Sequence, residues 1–234
     1  MSRERAIERT IATTTHGRYL VVAAGGRAPI LVGFHGYMEA ADTQLDRLRQ
    51  IDRDGTWTLV SIQGLNRFYE RRTNNVIAGW MTRQDREHAI ADNVEYVAAV
   101  VDEVASSHAA SRSIVFAGFS QGVATAFRAA AVSRDRAAVI AVGGDVPPEL
   151  DADRLGRLGP VLLCRGRRDE WYTADKFSQD QVRLRAAGVA LTPLEFDGAH
   201  EWSGAVIEAA ARFLDGLARQ AVTPSADRAP TASI

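Results

Sequence analysis

A hydroxyl, an imidazole and a carboxylate can together cleave an acyl bond, and this chain carries a candidate for each. The hydroxyl is Ser120, in Gly118-Phe119-Ser120-Gln121-Gly122. A bare Gly-x-Ser-x-Gly is weak evidence. Here an apolar run at 113–119 precedes it and an Ala-rich helical pattern at 123–132 follows. A sharp strand-to-helix turn strains its central residue and crowds the positions two before and two after it, which glycine relieves. Ser120 therefore reads as a nucleophile lifted clear of a sheet, beside the N–H groups that open a helix.

Serine needs a base to take its proton. His16 falls in an expected hairpin turn, and His88 and His108 fall on or at the end of a long helix, where a solvated face explains them. His35 follows an early strand and is read as packing under its loop. His200, in Asp197-Gly198-Ala199-His200-Glu201-Trp202, lies between the last strand and the last helix. Loops at the C-terminal ends of parallel strands are where such sheets assemble sites, so His200 is the expected base. The carboxylate that orients it is expected to be Asp169, with Asp145 as competitor and Glu170 and Asp197 as weaker alternatives. An oxyanion hole needs two backbone N–H donors. One is expected from Gln121, the other from the loop His35-Gly36-Tyr37-Met38, with Tyr37 preferred and Met38 the alternative.

These groups lie far apart in the chain, so a regular scaffold must unite them. Continuous apolar runs at 30–34, 57–62, 113–119, 138–142, 161–164 and 190–196 suit strands covered on both faces. Helical patterns alternate with them. One carries Leu45, Leu48 and Ile51 behind Asp42 as a candidate cap. Another spans 85–107 with an Ile90, Val94, Val97, Val101, Val104 stripe, and others lie after Gly122, at 174–187 before Gly188, and along Val206, Ala210, Phe213 and Leu217. Runs at 7–14 and 18–24 flank a Thr-His-Gly turn and are expected to pair as a hairpin. The expectation is an α/β fold: a mostly parallel sheet with an antiparallel N-terminal hairpin, helices on both faces and no large lid. Residues 1–220 are expected to form one domain and 221–234 a disordered tail.

Composition narrows the function classes. Hydrophobic residues make up 46% and charged residues 24% of 234, a globular balance. Lys plus Arg (28) nearly cancels Asp plus Glu (29), which offers no global attraction to nucleic acid. The single cysteine, Cys164, excludes an internal disulfide framework and any cysteine-rich metal site. No signal peptide or membrane span is read, so the chain is expected in the cytoplasm, acting on a small molecule, with a homodimer left open. Aromatic side chains near the expected mouth include Tyr37, Phe68, Tyr69, Trp80, Trp171, Tyr172 and Trp202. Trp80, Trp171 and Met38 are the expected substrate contacts. The segment 66–72 holds an Arg cluster, read as a solvated loop ahead of an anion site.

On Phe34-His35-Gly36, the Gly118–Gly122 motif, Gly166 with Asp169, and Gly198-Ala199-His200-Glu201, residues 18–217 resemble the α/β-hydrolase superfamily. Within it they are most similar to the phospholipase/carboxylesterase group, which includes acyl-protein thioesterases. The resemblance implies an α/β-hydrolase fold and hydrolysis of carboxylic esters or thioesters without metal or organic cofactor. The group's usual His-Gly-x-Gly reads His-Gly-Tyr-Met here. An ester hydrolase of small to medium acyl groups is the expected function. A thioesterase or dienelactone-type hydrolase is the alternative within enzymes, and a non-catalytic small-molecule receptor the alternative outside them.

Overall fold

A computed structural model describes residues 6–222 apart from 109 and 112. Its strands and helices, in chain order, are β1 (Tyr19–Val22), β2 (Ile30–Phe34), α1 (Ala41–Ile51), β3 (Thr58–Ile62), β4 (Asn66–Tyr69), β5 (Val76–Gly79), α2 (Arg86–Ser107) and β6 (Ile114–Phe119). There follow α3 (Gln121–Val132), β7 (Ala138–Val142), α4 (Ala152–Gly156), β8 (Val161–Gly166), α5 (Ala174–Ala186), β9 (Leu191–Phe196) and α6 (Gly204–Val222). Seven strands form one sheet in the order β1-β3-β2-β6-β7-β8-β9, and β4 pairs with β5 apart from it. All neighbours in the large sheet are parallel except β1 on β3.

The apolar strands are buried because both faces are covered. Alternate residues of β2 divide between two cores. Ile30, Val32 and Phe34 join the core that also takes residues of α2, α3 and α5, while Leu31 joins the one that takes residues of α1 and α6. The β6–α3 and β9–α6 connections both open at the C-terminal edge of the parallel strands, so that edge gathers the candidate residues.

Three expectations are corrected. Residues 7–14 form no strand; the antiparallel partner of β1 is β3, with Tyr19 opposite Ile62. Ile7 and Ile11 are instead exposed, so that segment has no face to bury. Asp42 does not cap α1, whose N-cap is Ala40 without a side-chain bond; the Asp42 carboxylate accepts from Arg18 instead. The buried line of α2 is Asn93, Val97, Val100 and Val104, rotated slightly from the expected stripe. Helix α6 reaches Val222, and the tail beyond lies outside the described residues. Among the described residues no helix is long and apolar enough to cross a membrane.

Candidate active site

Strand β6 ends at Phe119 and α3 starts at Gln121, which leaves Ser120 as the whole turn. Its φ of 52° and ψ of −119° lie where side-chain-bearing residues are rarely found, at a cost of about 1–3 kcal/mol. Two hydrogen bonds hold it there. The Ser120 N–H donates to the Val142 carbonyl (2.9 Å), and the Val123 N–H donates back to the Ser120 carbonyl (3.0 Å). Gly122 permits the turn to sit against the end of β2. A Cβ there would lie 2.2 Å from the Phe34 carbonyl oxygen, so any side chain would push α3 off the sheet.

His200 reaches this turn from the β9–α6 loop. Its Nε2 lies 2.8 Å from Ser120 Oγ and its Nδ1 lies 2.8 Å from Asp169 Oδ2. Asp169 is buried, and its Oδ1 accepts from the N–H groups of Trp171 and Tyr172, both at 2.9 Å. The turn holding Asp169 is stitched to the His200 loop, because the Arg168 N–H donates to the Gly198 carbonyl (2.9 Å). Gly143 (φ 65°) backs the pair; a Cβ there would stand 3.1 Å from the His200 ring and 3.3 Å from the Asp169 carboxylate. The other weighed carboxylates go elsewhere. Asp145 pairs with Lys176 (3.1 Å), Asp197 pairs with Arg168, and Glu170 is exposed.

Of the weighed oxyanion donors, the Met38 N–H is committed to the Ala78 carbonyl (3.0 Å). The N–H groups of Tyr37 and Gln121 carry no hydrogen bond to another described residue. The Gln121 side chain has a part that sequence reasoning missed. Its Oε1 accepts from the Trp80 N–H (2.8 Å) and its Nε2 donates to the Met81 carbonyl (3.0 Å), which ties the start of α3 to the segment after β5. A glutamine in the motif gives no hint of a partner forty residues earlier.

The expected aromatic wall is corrected in part. Trp80 is fully buried, its indole N–H donating to the His35 carbonyl (2.9 Å), so it packs beneath the loop where an exposed wall residue was expected. Tyr172 is likewise buried and donates to Asp180. Trp171 and Met38 are exposed at the rim. Residues 66–69 are strand β4, with Arg67 bonded to the His16 carbonyl. An open groove of about 550 Å³ runs beside His200, bounded by Phe119, Trp202, Glu39, Arg47 and α1.

His35 has the packing role expected of it. It is fully buried; Gly64 N–H donates to its Nε2 (3.0 Å), which puts its proton on Nδ1, where it donates to the Gly36 carbonyl (2.7 Å). Burial holds its pKa below the ordinary imidazole value, outweighing the Gly36 bond and the Glu39 charge. Between that lowered value and about 6.5, the unfolded chain binds a proton that the folded chain refuses. Stability is then lost as pH falls below about 6.5, with a slope of at most about 1.4 kcal/mol per pH unit from this residue. Denaturant unfolding from pH 5 to 8 is expected to show that slope in the parent and not in His35→Asn. Equal slopes in the two proteins would contradict it.

The sheet order, the strained Ser120 turn and the loops at its rim define an α/β-hydrolase fold. Residues 74–217 match the family model for Phospholipase/Carboxylesterase, and the chain belongs to that family. It is therefore a carboxylic ester hydrolase. No curated protein sequence matches it. Among solved structures it is similar to a carboxylesterase from Mesorhizobium loti at 21% identity and a TM-score of 0.69, with 86% of this chain and 95% of that one covered. A Bacillus cereus carboxylesterase is similar at 18% identity and a TM-score of 0.66, covering 86% and 94%. Zea mays acyl-protein thioesterase 2 is similar at 17% identity and a TM-score of 0.63, covering 86% and 99%.

Proposed function

We propose that the protein cleaves small to medium carboxylic esters through an acyl-enzyme on Ser120. The observation that carries this reading is the unbroken chain from Ser120 Oγ through His200 to Asp169, with 2.8 Å at each link. His200 Nε2 takes the Ser120 proton as Oγ attacks the carbonyl carbon, and Asp169 steadies the imidazolium through Nδ1. The N–H groups of Tyr37 and Gln121 receive the oxyanion. His200 then gives its proton to the leaving oxygen, and a water activated by the same imidazole releases the acid. The exposed Met38 and Trp171 are the proposed contacts for a modest acyl group.

The test is rapid mixing with p-nitrophenyl esters of increasing acyl length and matching thioesters. One equivalent of p-nitrophenol per chain is expected in an initial burst, followed by slower turnover. Absence of burst and turnover across the whole panel, with the ligands still bound, would sink this reading and favour a receptor.

A further inference from the structure

We infer that Arg47 and Glu39 are positioning residues for ester cleavage, an ion pair that fixes the turn carrying the Tyr37 N–H against the Ser120 elbow. This rests on the reading of Ser120, His200 and Tyr37 given above.

The turn at 36–39 is held from two sides. On the side of β5, the Met38 N–H donates to the Ala78 carbonyl and the Ala78 N–H donates to the Glu39 carbonyl (2.8 Å). The Gly36 carbonyl is tied as well, accepting from His35 Nδ1 (2.7 Å) and from the Glu39 N–H (3.3 Å), but its N–H needs a separate acceptor. On the other side, Glu39 Oε2 accepts from the Gly36 N–H (2.7 Å), closing the turn across the residue that offers the oxyanion donor. Met38 sits at φ 62°, which the turn adopts at a cost in strain and would relax if released.

Glu39 is itself held by a two-point bond. Arg47 Nη1 donates to Oε2 (2.6 Å) and Nη2 to Oε1 (2.7 Å). Exposed ion pairs contribute little, but here the side chains keep only 14% and 22% of their accessibility, and the fork geometry is fixed. Although burial alone would raise it, the Glu39 pKa is held below the usual carboxylate range by Arg47 and the Gly36 N–H.

The guanidinium also reaches the other two parts of the site. It lies 4.2 Å from the centre of the Phe119 ring, next to Ser120, and 5.7 Å from the Trp202 ring, two residues past His200. Its Nη1 donates to Gln44 Oε1 (3.2 Å), and the buried Gln44 donates to the Ala117 carbonyl of β6 (3.4 Å). One cation thus touches the oxyanion turn, the strand that delivers the nucleophile and the loop that delivers the base. A small shift in their relative placement costs rate more than binding, because the oxyanion exists only on the way to products.

The experiment compares Arg47→Met, Arg47→Lys, Glu39→Gln and the double variant with the parent on p-nitrophenyl butyrate. Inhibition by an alkyl trifluoromethyl ketone, which forms a tetrahedral oxyanion on serine, is measured alongside. Arg47→Met is expected to lower kcat by about 10–100-fold with KM within about threefold, and to weaken the ketone by a similar factor. Arg47→Lys restores part of the loss, since one ammonium cannot reproduce the fork. Combining Arg47→Met with Glu39→Gln adds little further loss, as expected of a pair that acts as a unit.

A kcat within threefold of the parent with unchanged ketone affinity overturns the inference, as does a loss confined to KM. Should Arg47→Met fail to fold by thermal melting, Glu39→Gln decides by the same readouts, since it keeps an acceptor for Gly36 while turning an amide nitrogen on Arg47. Ser120→Ala runs in parallel. Turnover persisting there removes the underlying reading, whereas an inactive Ser120→Ala beside fully active Arg47 and Glu39 variants removes only the clamp.

Discussion

Ser120→Ala is expected to lower kcat on an activated ester by about a millionfold and to leave the fold intact. Among the described residues the side chain of Ser120 hydrogen-bonds His200 alone, so removing Oγ costs the scaffold no other hydrogen bond there. The strained turn depends on backbone groups, the Ser120 N–H on Val142 and the Ser120 carbonyl on Val123, and alanine keeps both. The melting temperature is therefore expected to hold or rise slightly, the usual pattern where function occupies a strained position. Ser120→Gly sharpens the comparison. Glycine accepts φ near 52° without penalty, so this variant is expected to be more stable than the parent and equally inactive. The residual rate over water would come from the oxyanion donors and substrate positioning. Turnover within tenfold of the parent in either variant would mean that another group attacks the carbonyl.

The sheet was legible because its strands are buried on both faces and read as unbroken apolar runs, such as Ile30–Phe34 and Ala138–Val142. Pairing partners were less so. The sequence around His16 suggests a local hairpin, yet Tyr19–Val22 joins a strand some forty residues later, and no turn signal reports so distant a partner. Strand β4 leaves no signal in the sequence because all four of its residues, Asn66 to Tyr69, are exposed and carry no alternation. The candidate site divides in the same way. Ser120 announces itself through the local sterics of Gly118 and Gly122, and His200 and Asp169 through their places at strand ends. Arg47, Glu39 and the Gln121 side chain have no such signature, since a charged pair eight residues apart across a helix start is ordinary surface sequence. Trp80 shows the converse. Its neighbourhood in the chain pointed to the mouth, but its indole turns inward to His35.

Asp169→Asn carries the second large expected effect, and it tests the imidazole rather than the nucleophile. Asp169 Oδ1 receives the N–H groups of Trp171 and Tyr172 at 2.9 Å, and a side-chain NH₂ cannot take that place because it would face two donors. The asparagine oxygen is therefore held at the Oδ1 position, which aims its nitrogen at His200 Nδ1. Facing a donor, Nδ1 must accept, so the imidazole proton moves to Nε2 and points at Ser120 Oγ. The base is then in the wrong tautomer to receive a proton, although no heavy atom need move. A fall in kcat of about ten-thousandfold is expected, with KM nearly unchanged. Of the alternative carboxylates, Asp145 is held by Lys176 and Asp197 by Arg168. Nitrogen-15 chemical shifts of the His200 ring provide the second readout, with the protonated nitrogen expected to switch from Nδ1 to Nε2. A variant with the switched tautomer but a kcat within tenfold of the parent would show that His200 is not the group that deprotonates Ser120.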